Sequence, residues 1–125
     1  MLKILMVGSG GFIGSVGRYL LGLWVYQNSG QHWFPYATLT VNVIGCFLIG
    51  LWGGILETRH AFSDELQLFL LVGFLGGFTT FSSFSHETNQ LLRNSQVFAA
   101  GLNVVLQIVL CLLFAWLGHQ ISRQF

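Results

Sequence analysis

Four apolar runs, about Ile4 to Tyr26, Phe34 to Leu56, Leu66 to Leu92 and Val97 to Ile121, follow one another along the chain between short polar joints. Each reaches the roughly 20 residues that a helix needs to cross a bilayer. The joints are Gln27-Asn28-Ser29-Gly30-Gln31-His32, then Glu57-Thr58-Arg59-His60 continuing to Asp64-Glu65, then Arg93-Asn94-Ser95-Gln96. They hold the breaker and charged residues that end helices. The pattern predicts an all-α membrane protein, a single four-helix transmembrane domain over residues 1–125 with no soluble tail.

The third run breaks its own pattern. Gly73 to Phe84 reads Gly-Phe-Leu-Gly-Gly-Phe-Thr-Thr-Phe-Ser-Ser-Phe, mixing glycines, hydroxyls and phenylalanines at membrane depth. Lipid offers no partner for loose backbone or hydroxyl groups, so irregular structure there survives only inside protein or along a wet path. Gly76-Gly77 has low helix propensity, and a break at that pair would free carbonyls of the flanking turns. Several such hard oxygens, converging, suit an alkali cation. Beyond the break, Phe81, Phe84 and Thr88 share a face by three- and four-residue spacing, with Ser82 and Ser85 alongside. A phenyl rim carries partial positive charge. Ring edges and hydroxyl donors attract a small anion moderately, which conduction requires.

Composition agrees with a membrane setting: 54% of residues are hydrophobic and 7% charged, against roughly 25% charged in soluble domains. The start, Met1-Leu2-Lys3 before an apolar run, has the parts of a secretory signal, but the run exceeds the roughly 7–15 residues of a signal core and reads as a retained first helix. Cys46 and Cys111 fall mid-span and read as packing residues, with no disulfide or metal pair indicated. His32, His60, His86 and His119 stand at span ends without ligand spacing, as interfacial side chains.

Charge changes the picture through orientation. Lys3, Arg59 and Arg123 fall on one side of a four-span chain and Arg93 on the other, with Arg18 inside the first span toward that second side. The bias is weak by the positive-inside rule. Weak bias suits either one orientation or insertion both ways, and the latter allows two opposed copies to pair about an axis in the membrane plane, as inverted repeats do. Small-xxx-small pairs at Gly10 and Gly14, Gly50 and Gly54, and Gly73 and Gly77 predict close helix contacts. Gly8-Ser9-Gly10-Gly11 is no dinucleotide loop, since Ile13 holds the sixth position and no βαβ unit surrounds it.

Polar residues at depth are costly and mark function or bridging. Arg18 snorkels or pairs with an acid more readily than it meets a ligand. Asn42 has two amide donors for an anion or for a neighbouring helix. Asn103 and Gln107 lie one turn apart and face the same way.

These pieces bring the chain to a family. Gly10-Gly11-Phe12-Ile13-Gly14 leading to Arg18-Tyr19, Pro35 with Thr38-Leu39-Thr40-Val41-Asn42 and Gly45, and Gly76-Gly77-Phe78-Thr79-Thr80-Phe81-Ser82-Ser83-Phe84-Ser85 with Glu87 resemble the Fluc (CrcB) fluoride channels across all four spans. The resemblance implies a dual-topology antiparallel homodimer in the plasma (inner) membrane, with four helices per subunit, a broken third helix, two fluoride pathways and a structural sodium ion at the dimer centre. It implies that the carbonyls of Gly76 and Thr79 hold the sodium, that Phe81 and Phe84 line the fluoride path, and that Asn42 donates beside them. By the same resemblance Ser82, Ser83 and Thr38 contribute hydroxyls, Glu87 ends the polar track, Asn103 faces the path, and Arg18 is a structural buried charge. Ala37 and Ser83 depart from the family's glycine and threonine, and neither removes a required group. The implied activity is passive fluoride export that protects the cell, not catalysis; no nucleophile–base pair or metal set stands at membrane depth. The rival is a small proton-coupled exporter of cationic drugs, which needs a membrane-embedded carboxylate. Only Glu87 lies near a span, whereas Glu57, Asp64 and Glu65 cluster at a joint.

Overall fold

The computed structural model describes residues 1–30, 33–58 and 62–124. Arg59, His32 and His60, used above for charge balance and interfacial placement, lie outside the described residues. The described chain is all helical. Four stretches are long and apolar enough to cross a membrane: Leu2–Asn28, Tyr36–Glu57, Asp64–Arg93 and Val97–Ser122.

Helix α1 is Leu2–Asn28 and α2 is Tyr36–Thr58. The second run begins two residues later than the apolar pattern suggests, because Pro35 fixes its own φ and starts the helix, its carbonyl accepting from Leu39 N at 3.2 Å. The third run begins two residues earlier. Ser63 caps it by accepting from Leu66 N at 3.3 Å, and Asp64 and Glu65 then sit in the first turn against the positive end of the helix dipole. Helix α3 (64–78) consists of the turn Asp64–Gln67, a π-helical stretch Leu68–Leu75 and a final turn Gly76–Phe78. After an extended step at Thr79 and Thr80 the chain resumes as α4 (Phe81–Arg93), and α5 is Val97–Ser122.

Two close pairings organise the bundle: α2 against α5, and α1 against α3. All three glycine pairs lie at these crossings. A Cβ on Gly14 would strike the Phe74 carbonyl, and one on Gly73 would stand 2.8 Å from the Val7 carbonyl oxygen. Across the other seam, Gly50 and Gly54 pack on Ala115 and Ser122, and Gly118 packs on Phe47. Small residues let the backbones approach, and dispersion rather than water exclusion holds them in lipid.

The turn from α4 into α5 is a Schellman cap. Gln96 N–H donates to the Leu91 carbonyl at 2.9 Å and Ser95 N–H to that of Leu92 at 3.1 Å, with Ser95 at φ 60°. This cap folds α4 back so that Leu91 meets Ala99 and Ala100 in a small buried cluster.

Candidate functional site

The break in the third span falls at Thr79 and Thr80, the C-terminal edge of the Gly76 to Thr79 segment to which the sequence pointed and past its low-propensity Gly76-Gly77 pair. Both glycines are helical, and Gly77 is spent on close approach to Gly11. Thr79 ends α3: its N–H and its Oγ1 both donate to the Leu75 carbonyl, at 3.0 and 2.9 Å. Thr80 starts α4: its Oγ1 accepts from Ser83 N at 3.2 Å and lies 3.2 and 3.1 Å from the Ser82 and Ser83 hydroxyls.

Asn42 closes the gap from α2. Its Oδ1 accepts the Thr80 N–H at 2.8 Å, and its Nδ2 donates to the Thr80 carbonyl at 3.0 Å and to Gln107 Oε1 at 3.1 Å. The side-chain amide thus pairs with one residue of extended backbone as a neighbouring strand would. The N–H that a continuous helix would give to the Gly76 carbonyl is turned to Asn42 instead. From α1, Arg18 Nη1 donates to the Thr79 carbonyl at 3.3 Å, which sets a guanidinium against the negative end of α3.

Phe81 and Phe84 follow the break with ring centroids 5.2 Å apart and planes at 64°, edge toward face. Phe84 is buried, while Phe81 is 77% exposed on the single chain. Farther along α4, Thr88 donates to the Phe84 carbonyl at 2.8 Å and accepts from Asn103 Nδ2 at 3.0 Å. Glu87 Oε1 accepts from Thr38 Oγ1 at 2.6 Å. Thr38, Asn42, Thr80, Asn103 and Gln107 are all buried, and three buried atoms, Glu87 Oε2, Asn103 Oδ1 and Gln107 Nε2, have no hydrogen-bond partner among the described residues. Buried polar groups are rarely left so, and all three lie along one seam.

Cavities lie at both ends of this seam. One of about 350 Å³ is lined by Asn42, Thr80, Phe81, Phe84 and Gln107, by Gly76 and Thr79, and by apolar side chains such as Ile49, Leu71 and Ile108. The other, about 370 Å³, is a polar mouth formed by Glu87, Gln90 and Asn94 beside Trp33 and Phe34. Trp33, Phe34 and Tyr36 form an aromatic cluster there with centroids 4.9 to 6.3 Å apart, of the kind that sits at headgroup level. From Thr80 to Gln90 the α4 side of the seam is about 15 Å long at ~1.5 Å per residue. Hydroxyls, amide donors and a ring edge line it. Such a lining suits a small, strongly hydrated anion, which trades water for several weak donors.

The structure therefore brings Asn42, Phe81, Phe84, Ser82 and Ser83 together around the break, and Thr38 with Glu87 one cavity away. Asn103 joins them through Thr88 and not by facing either cavity. Thr80 and Gln107 were missed as site residues. Thr80 as an N-cap hydroxyl is a signal that could have set the break two residues past the glycines, and the Asn103–Gln107 spacing put those two side chains on one face.

Residues 5–119 match the family described as CrcB-like protein, Camphor Resistance (CrcB). A Geobacter sulfurreducens protein named fluoride-specific ion channel FluC is 48% identical over 124 residues, covering 99% of both chains. One of the same name from Elusimicrobium minutum is 46% identical over 121 residues, 97% of this chain and 94% of its own. Fluoride-specific ion channel FluC 3 of Methanosarcina barkeri is 42% identical over 122 residues, 98% and 91% respectively.

Proposed function

The chain belongs to the CrcB-like family, and from that membership we propose that it is a fluoride-selective channel, not an enzyme, that lets fluoride leave the cytoplasm passively across the plasma (inner) membrane. The carrying observation is the donor-lined seam at the broken third span, with the Phe81 and Phe84 ring pair against Asn42 and Thr80. Hydrogen fluoride crosses lipid as a neutral acid and ionises in a less acidic cytoplasm. A negative-inside potential then drives the anion out at about 2.3 kcal/mol per 100 mV, so no coupling site is needed.

In this reading two copies pair antiparallel and give two pathways. The half-open cavity and the exposure of Phe81 support a second wall supplied by a partner subunit. Phe81 and Phe84 present ring edges and Ser82 and Ser83 supply hydroxyls; Asn42 and Thr38 serve the ion by exchanging the donors they give to Gln107 and Glu87, and Glu87 and Asn103 belong to the polar track toward the mouth. A sodium ion at the dimer centre would be held by the carbonyls of Gly76 and Thr79. The donor chemistry fits: the Gly76 carbonyl is released by the turn of Thr80 N–H to Asn42, and the Thr79 carbonyl has a second lone pair beyond Arg18. The bound cation would supply positive charge that binds two carbonyl-rich helix ends together. Arg18 serves the same end of α3 from within the subunit.

Purified protein in liposomes tests the channel assignment: fluoride release read by electrode should far exceed chloride release, and equal release of the two ions would overturn it. Accessibility labelling at Lys3 in cells should find the terminus on both faces of the membrane; labelling from one face alone rejects dual topology.

A further inference from the structure

Cys46 on α2 and Cys111 on α5 are 65 residues apart in sequence, and the sequence alone gives no reason to join them. The structure does. Both line the 350 Å³ cavity as half-buried free thiols, one turn past Asn42 and Gln107, which bond at 3.1 Å, and one turn before Gly50 and Ala115, which pack together, so the helix register sets the two thiols facing each other. Their helices form the most extensive pairing in the bundle, which fixes the approach of the two sulfurs. On the far side, Cys111 S–H donates to Gln107 Oε1 at 3.8 Å.

We propose that Cys46 and Cys111 form a two-coordinate site for a soft divalent d10 cation, of which Hg(II) is the type, entered from the cavity at the broken third span. Thiolates select soft metals. No group of three or more His, Cys, Asp or Glu that could hold a metal occurs among the described residues, so a zinc ion, which demands four ligands, is not satisfied here. A linear ion needs only two. Two S–H bonds break and two S–Hg bonds form; the oxidation state of the metal is unchanged and the two protons leave to cavity water. The bis-thiolate complex of a divalent ion is neutral, whereas a monovalent ion such as Ag(I) leaves one net negative charge in a poorly solvated wall. That charge difference favours the divalent ion.

The test counts thiols on the full chain purified in detergent, reduced and then freed of reductant. Mercuric chloride is titrated in and the remaining thiols are read with dithiodipyridine. The expected result is loss of both thiols at one mercury per chain, with the sulfur-to-mercury charge-transfer absorbance saturating at the same point. Cys46→Ser and Cys111→Ser should each weaken binding by about 100-fold in competition with free cysteine, the gain that a second tethered ligand confers. Where serine disturbs packing, Cys46→Ala and Cys111→Ala give the same comparison. Two mercury ions per chain, or either single variant binding as tightly as the parent, overturns the proposal. Thiol counting is independent of fluoride flux, so its failure and that of the channel assignment are separable.

Discussion

Asn42→Ala removes the side chain that hydrogen-bonds the break to α2. Three hydrogen bonds vanish together: those to Thr80 N–H, to the Thr80 carbonyl and to Gln107 Oε1. Interhelical hydrogen bonds within a membrane contribute about 0.6–1.7 kcal/mol each, which puts the loss at about 2–5 kcal/mol. The adjoining cavity lets water reach the exposed groups and pulls the value toward the lower end, about 2 kcal/mol. Unfolding of the detergent-solubilised protein by graded denaturant measures it directly. Fluoride efflux from liposomes should fall with it, because Thr80 no longer seats the first turn of α4 that carries both rings. Asn42→Asp separates the two roles. It keeps an acceptor for Thr80 N–H but turns an anionic oxygen toward the Thr80 carbonyl and Gln107 Oε1, so it should depress flux at least as far as alanine does. Stability of Asn42→Ala within about 0.5 kcal/mol of the parent would show that the break is held by something else and would refute the clamp.

Phe81→Ile and Phe84→Ile should each cut fluoride flux while the size-exclusion profile of the protein stays that of the parent, with only the buried Phe84 change lowering stability, by about 1–2 kcal/mol; full flux in both variants removes the ring-edge role. Gly14→Ala drives a methyl into the Phe74 carbonyl and should cost about 1–3 kcal/mol by overpacking, whereas Gly8→Ala, with open space around it, should be neutral or stabilising; comparable denaturation curves for the two would contradict the packing reading. Ser95→Gly relieves a left-handed non-glycine residue and should raise stability by about 1 kcal/mol without altering flux, a shift that thermal unfolding detects.

Much of this was readable before any coordinates, because lipid leaves few options. Runs of sufficient length had to be helices, and the three glycine pairs had to be crossings, since small residues spaced by four have little other use there. Boundaries moved where a single residue outweighed hydropathy, as Ser63 and Pro35 did. The π stretch Leu68–Leu75 had no signal: Leu-Phe-Leu-Leu-Val-Gly-Phe-Leu is apolar at almost every position, so no periodicity distinguishes a wide turn from a tight one. The break was expected at the glycines on propensity, yet helix ends are set by where backbone donors find partners. Thr79 and Thr80 supply those partners, and Asn42 answers from another helix. The meeting of Cys46 with Cys111 depends on the register of α2 against α5, which composition does not encode.

One chain leaves Phe81 77% exposed and the cavity beside it open along a side. If the pathway is completed by the proposed partner subunit, a freshly inserted copy would have no walled route for an ion and would be electrically silent. Conductance would arise by mass action between copies. At low expression it would rise with the square of subunit density, so a cell could hold a reserve of unpaired subunits without leaking anions.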